Sequence, residues 1–168
     1  MQALALLLVV IVPWLLAEAV RSRRHETALR ARGAVEPPDD VYRWMQVVYP
    51  GMFVAMTVEG MLGGPGPLPL VAAGVGVFMA GKLLKWWAIL TLGPLWSFRV
   101  LVVPGERLLT GGPYRYMRHP NYVGLIGEII GTAMMMAAPV TGVLSFVVFG
   151  LLLRARIAAE ERALGIRP

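Results

Sequence analysis

At 168 residues with 57% hydrophobic and 15% charged side chains, the chain carries far fewer charges than the roughly one quarter usual for a soluble domain. Its net charge of +6 would mark a nucleic-acid surface on a soluble protein, but here the charges fall between apolar runs and serve as topology signals, which excludes nucleic acid as a partner. With no cysteine there is no disulfide framework, thiolate metal site or cysteine nucleophile, and no metal-ligand set is read from the sequence.

A spanning helix needs roughly 20 mostly apolar residues, and several stretches approach that length. The first runs from about Ala3 to Val20. Ala17-Glu18-Ala19 has the small-x-small form of a cleavage site, but Met1-Gln2 lacks the Lys or Arg that opens a signal peptide, so a retained helix is expected. A basic loop from Arg21 through Arg32 follows, with His25 solvated in it, and Gly33 and Pro37-Pro38-Asp39-Asp40 break the chain.

The second span, about Trp44 to Leu62, carries a kink at Pro50-Gly51. Gly63-Gly64-Pro65-Gly66-Pro67 bends tightly into the third, about Leu68 to Trp87. There Gly74 and Gly76 permit close helix approach, and Lys82 and Lys85 anchor the far end by snorkelling.

Ala88 to Pro120 is mixed and rich in Gly, Pro and Arg. Two apolar segments, about Asn121 to Ala137 and Val140 to Leu153, are separated only by Ala138-Pro139 and form a helical hairpin; Met134-Met135-Met136 packs in the core or against lipid. A charged helix, Arg154 to Leu164, follows. The expected fold is an all-α membrane protein of about five transmembrane helices forming one membrane domain, 1–168, with a three-span part (1–88) and a second part (89–168).

All sixteen Lys and Arg lie in three regions, Arg21 to Arg43, Lys82 to Arg118 and Arg154 to Arg167. Five spans put these on one face, while the turns Gly63 to Pro67 and Ala138-Pro139 carry none. The positive-inside rule therefore puts the N-terminus outside and the mixed segment and C-terminus in the cytoplasm.

The informative run is Gly111-Gly112-Pro113-Tyr114-Arg115-Tyr116-Met117-Arg118-His119-Pro120-Asn121-Tyr122-Val123-Gly124, where the mixed segment enters the fourth span. Pro120 suits the first turn of a helix, where a missing N–H costs nothing. Alone, the run fits a basic, aromatic interface anchor. Glu160-Glu161 alone fit a solvated helix face with an Arg156 to Glu160 pair. A hairpin returns the chain to the surface it left, so these glutamates should emerge near Arg118 and His119. Together the clusters offer donors for a carboxylate and acceptors for an ammonium, as a bound amino-acid group requires.

Here the chain resembles the isoprenylcysteine carboxyl methyltransferase family of membrane enzymes. The resemblance rests on Arg118-His119-Pro120-Asn121-Tyr122-Val123-Gly124 and on Arg156-Ile157-Ala158-Ala159-Glu160-Glu161, with Gly131-Thr132, the Ala138-Pro139 turn and Leu92-Gly93-Pro94-Leu95-Trp96-Ser97 in matching order between about Leu92 and Leu164. A looser similarity, through Ser22-Arg23-Arg24-His25-Glu26, Ala31-Arg32-Gly33-Ala34-Val35-Glu36 and Glu128, points to a bacterial branch associated with lipidic polyketides.

The resemblance implies an S-adenosylmethionine-dependent methyltransferase, in a bacterial inner membrane, with a cytoplasmic cofactor-binding segment. Its methyl would go to an oxygen of a lipophilic acceptor entering from the bilayer, either a prenylcysteine-like carboxylate or the hydroxyl of an alkylpyrone or phenolic lipid. It places Tyr114, Arg118, His119, Pro120, Tyr122, Gly124, Glu160 and Glu161 in the cofactor pocket. Arg154 or Arg156 would steady an acceptor oxyanion, for which a guanidinium fork is suited. Glu128, inside an apolar segment, is read either as a base or hydrogen-bond partner for a hydroxyl acceptor or as an interhelical polar contact.

Two features depart from the family pattern. Glu106 replaces a frequent histidine ahead of the pair Leu108-Leu109, altering an adenine-side contact, and no aromatic tail appears between Glu161 and Arg167-Pro168, so a lid is expected to be absent or supplied otherwise. Two other functions compete. A nicotinamide-dependent sterol-type reductase shares the hairpin, and Glu160-Glu161 after Arg118-His119-Pro120 speaks against it. A non-catalytic helper or transporter should place ionisable groups near the bilayer midplane, where only Glu128 qualifies.

Overall fold

The computed structural model describes residues 2–106 and 109–166, so Leu108, Arg167 and Pro168 lie outside the described residues. Among these, helix α1 runs unbroken over 2–31 as Gln2–Leu6, a π-helical turn Leu7–Ile11, and Val12–Ala31. It is followed by α2 (Tyr42–Gly63), α3 (Leu68–Leu92), α4 (Pro120–Met136) and α5 (Pro139–Ala163). Ala3–Ala31, Leu68–Leu95 and Pro139–Ala163 are each long and apolar enough to cross a membrane. The chain is an all-α membrane protein. The second and fourth expected spans exist as helices, α4 at 17 residues falling just short of the usual spanning length.

The first helix differs from expectation. The run from Arg21 to Arg30 continues the helix instead of forming a loop, because no Gly or Pro interrupts it before Gly33, whose φ of 78° ends it. His25 is not simply solvated either: its Nδ1 lies 2.7 Å from the Trp96 carbonyl. On α5, Val140, Val143, Leu144, Val147 and Leu151 remain exposed, as side chains facing lipid should.

Helices α3 and α4 approach backbone to backbone. A Cβ on Gly81 would stand 2.8 Å from the Gly124 carbonyl oxygen, and one on Gly131 would strike the backbone of Phe78. Gly74 joins this seam, whereas Gly76, expected to do so, faces open space. The α4–α5 turn uses Ala137 in the left-handed region (φ 51°), and Glu59 of α2 caps the start of α5 by accepting from the backbone N–H of Thr141 at 2.7 Å and of Val140 at 3.1 Å.

Between α3 and α4 the chain crosses the bundle mouth as a strap, residues 96–103. The strap is pinned along its length. Besides the His25 contact, the Phe98 N–H donates to Ser22 Oγ at 2.7 Å and the Val100 N–H to Asp40 Oδ2 at 3.1 Å. Val35 and Val102 then pair in an antiparallel β-bridge. Arg99 joins Glu36 at 2.6 Å, and Arg32 joins Glu106.

Candidate active site

The motif residues meet where α4 begins. A 3₁₀ turn, Gly112–Arg115, delivers the chain to Pro120, the first residue of α4. The His119 ring stacks on Tyr122 with centroids 5.4 Å apart. The Tyr122 hydroxyl donates to Glu160 and accepts from Arg156 Nε at 3.0 Å. The Arg156 side chain is 6% exposed, and its other nitrogens reach Asp40 Oδ1 at 3.0 Å and the Phe98 carbonyl. This continuous chain, Asp40 to Arg156 to Tyr122 to Glu160, ties the strap and the 33–41 segment to the hairpin.

Glu161 comes within 3.2 Å of His119 Nε2 and 3.9 Å of Arg118 Nη1, so the hairpin does return both glutamates to the Arg-His-Pro corner. Burial, and then the negative field of Glu160, push the Tyr114 hydroxyl well above its ordinary pKa, which keeps it a neutral donor.

A cavity of about 770 Å³ opens here and runs into the bundle. At the surface end it is lined by Tyr114, Arg118, His119, Tyr122, Arg156 and Glu160. Deeper, its walls are Val12, Leu15 and Leu16 of α1, Met45 of α2, Leu125 of α4 and Phe149 of α5. The volume and the mix of mostly apolar walls with a few convergent polar groups are those of a small-molecule site.

The remaining expected residues lie elsewhere. Pro120 starts α4 and Gly124 packs against Gly81 and Lys85; neither lines the cavity, because each is spent on helix geometry. Arg154 is exposed on the other side of α5, since two residues turn a helix by about 200° from Arg156. Arg156 does not pair with Glu160 along its helix.

Glu128 is fully buried in a cluster that the sequence alone does not reveal. Lys82 Nζ lies 2.9 Å from both Glu18 and Glu128, and Lys85 Nζ lies 2.5 Å from Glu18 and 3.3 Å from Glu128. The two lysines are 1–2% exposed, so they are not snorkelling anchors. Spaced three residues apart, they share the face of α3 that meets α1 and α4, and two carboxylates neutralise two ammoniums inside the bundle. The Tyr49 hydroxyl of α2 donates to Glu128 Oε2. Sequence reasoning also missed Asp40 and Tyr49. Glu18 and Glu128, each an acidic residue set in an apolar run, were the available signal.

A polar pocket at the mouth of an apolar cavity in a membrane helix bundle has the form of a small-molecule site in a membrane protein. The comparisons give its family: the model of the isoprenylcysteine carboxyl methyltransferase (ICMT) family matches residues 74–166, and the chain belongs to that family. It is a membrane methyltransferase. The chain is 31% identical to the uncharacterized protein YpbQ of Bacillus subtilis (strain 168), over 95% of each. It is 31% identical to protein-S-isoprenylcysteine O-methyltransferase B of Arabidopsis thaliana over 54% of this chain and 47% of that one. To the Rattus norvegicus protein-S-isoprenylcysteine O-methyltransferase it is 34% identical, over 56% of this chain and 34% of that one. No solved structure matches significantly.

Proposed function

We propose that the protein transfers a methyl group from S-adenosylmethionine to an oxygen of a lipophilic acceptor. The observation that carries this reading is the single cavity with two unlike ends, polar at Tyr114, His119 and Glu160 and apolar at Val12, Leu15 and Phe149. The polar end fits the cofactor: Glu160 supplies an acceptor for an ammonium group, Tyr114 a neutral donor, and His119, held on its far side by Glu161, an aromatic face. Bound there, the cofactor supplies an electrophilic methyl on a sulfonium.

The residues of this chain would then orient and exclude. Arg156 lines the polar end, and its fork, fixed by Asp40 and the Phe98 carbonyl, would present positive charge to an acceptor oxygen brought there. The pinned strap covers the mouth, holding both reactants in one place and keeping water out. The acceptor is a prenylcysteine-like carboxylate or a lipid hydroxyl, entering among the apolar side chains of α1 and α2. The charge distribution supports an N-terminus outside and the polar pocket at the cytoplasmic face of a bacterial inner membrane.

Calorimetric binding of S-adenosylmethionine and S-adenosylhomocysteine to the detergent-purified protein tests this reading. The wild type should bind both, and the Glu160→Gln/Glu161→Gln variant should lose them. A folded wild type that binds neither would sink the reading and favour a nicotinamide-dependent reductase.

A further inference from the structure

The charges of Glu18, Lys82, Lys85 and Glu128 balance without Tyr49, yet Tyr49 joins them and both Tyr49 and Lys85 line the cavity. A knot that merely fastens helices has no need of a phenol between a carboxylate and an open cavity. Tyr49 is held in place by Phe149, centroids 5.2 Å apart, and by Lys85, whose Nζ stands 5.4 Å from its ring centroid. The groups around the pair are Glu18 from α1, Lys82 and Lys85 from α3, and, along the same cavity, Tyr122 from α4 and Arg156 from α5.

We propose that Tyr49 and Glu128 form a proton relay serving a lipid hydroxyl seated in the deep part of the cavity, an inference that rests on the methyl-transfer reading. The acceptor oxygen forms the new C–O bond as the methyl C–S bond breaks and leaves its electron pair on sulfur. The acceptor O–H bond breaks in turn, its proton passing to the Tyr49 oxygen while the proton of Tyr49 passes to Glu128 Oε2. The cluster then holds two ammoniums against the one carboxylate of Glu18, so the positive charge lost at sulfur reappears there. Once the product departs and water takes its place in the cavity, the proton returns through Tyr49 to that water.

The first test needs no turnover. A nitrophenol bearing a long alkyl chain is bound to the full-length protein without cofactor, and its ionisation is followed by absorbance. Its apparent pKa should be about one unit higher in Tyr49→Phe and in the charge-balanced Lys82→Met/Glu128→Gln variant than in wild type, a tenfold change in ionisation. Equal values in folded Tyr49→Phe and wild type, or no binding by wild type, would overturn the relay.

With S-adenosylmethionine and an alkylresorcinol, Tyr49→Phe should be on the order of 100-fold slower near neutral pH, with cofactor affinity unchanged, and should recover about tenfold per pH unit as the phenol ionises by itself. A structural role would leave the pH profile unmoved. A wild type that methylates a prenylcysteine carboxylate but not the alkylresorcinol overturns the relay and leaves the methyltransferase reading standing. Absence of cofactor binding by folded wild type overturns both.

Discussion

Arg156 Nε donates to the Tyr122 hydroxyl at 3.0 Å across 34 residues of sequence, and that bond ties the two arms of the hairpin together at the cavity. Because the same guanidinium also holds Asp40 and the Phe98 carbonyl, its removal leaves a buried carboxylate and a carbonyl without their partner. Arg156→Met should cost about 3–5 kcal/mol of stability, seen as a lower melting temperature in detergent. Arg156→Lys should keep more of the fold but lose methyl transfer, since one ammonium cannot serve three directions.

Glu160 accepts from Tyr122 and faces the cavity, whereas Glu161 backs His119. Glu160→Gln should weaken S-adenosylmethionine binding about 10- to 100-fold, the worth of one charge-assisted hydrogen bond, with an unchanged melting temperature. Glu161→Gln should act more weakly, through the set of the histidine ring. Calorimetry on the two single variants separates them, and equal losses would contradict the division of roles.

The α3–α4 seam has no room for a methyl group at Gly131, where the new atom would meet the Phe78 backbone. Gly131→Ala should lower stability by about 1–3 kcal/mol by forcing the helices apart. Gly76→Ala, on the open side of α3, should be neutral. Unfolding curves of the pair in mixed micelles provide the check.

Burial alone would raise the Glu36 carboxyl, but hydrogen bonds from Arg99 and Arg30 hold it below the ordinary 4.5. A carboxylate depressed in the folded state stabilises above its unfolded pKa and loses that contribution as pH falls through the folded value. The melting temperature of wild type should therefore exceed that of Glu36→Gln at neutral pH, with the gap closing below about pH 4.5. A gap that persists at lower pH would show that Glu36 stabilises the fold other than through its charge.

The proximity of Arg118 and His119 to the glutamates was legible because a hairpin obliges the chain to return, and the signature residues supplied its two ends. Tyr114, Tyr122, Arg156 and Glu160 do meet in one cavity. Pro120 and Gly124 belong to the same signature but serve helix start and helix packing, a distinction that a motif cannot make. Lys82 and Lys85 read as surface anchors because their partners are 43 to 67 residues away, from Lys85 to Glu128 and from Lys85 to Glu18.

The sequence by itself determined the apolar helices, the turns and the pairing of the motif ends, since hydropathy runs, Gly-Pro breaks and hairpin return are local constraints on the backbone. Only the tertiary structure decided which charges are buried. In a bundle that excludes water, each ammonium must find its carboxylate on another helix, and that choice depends on rotation and depth of packed helices, which no local pattern records.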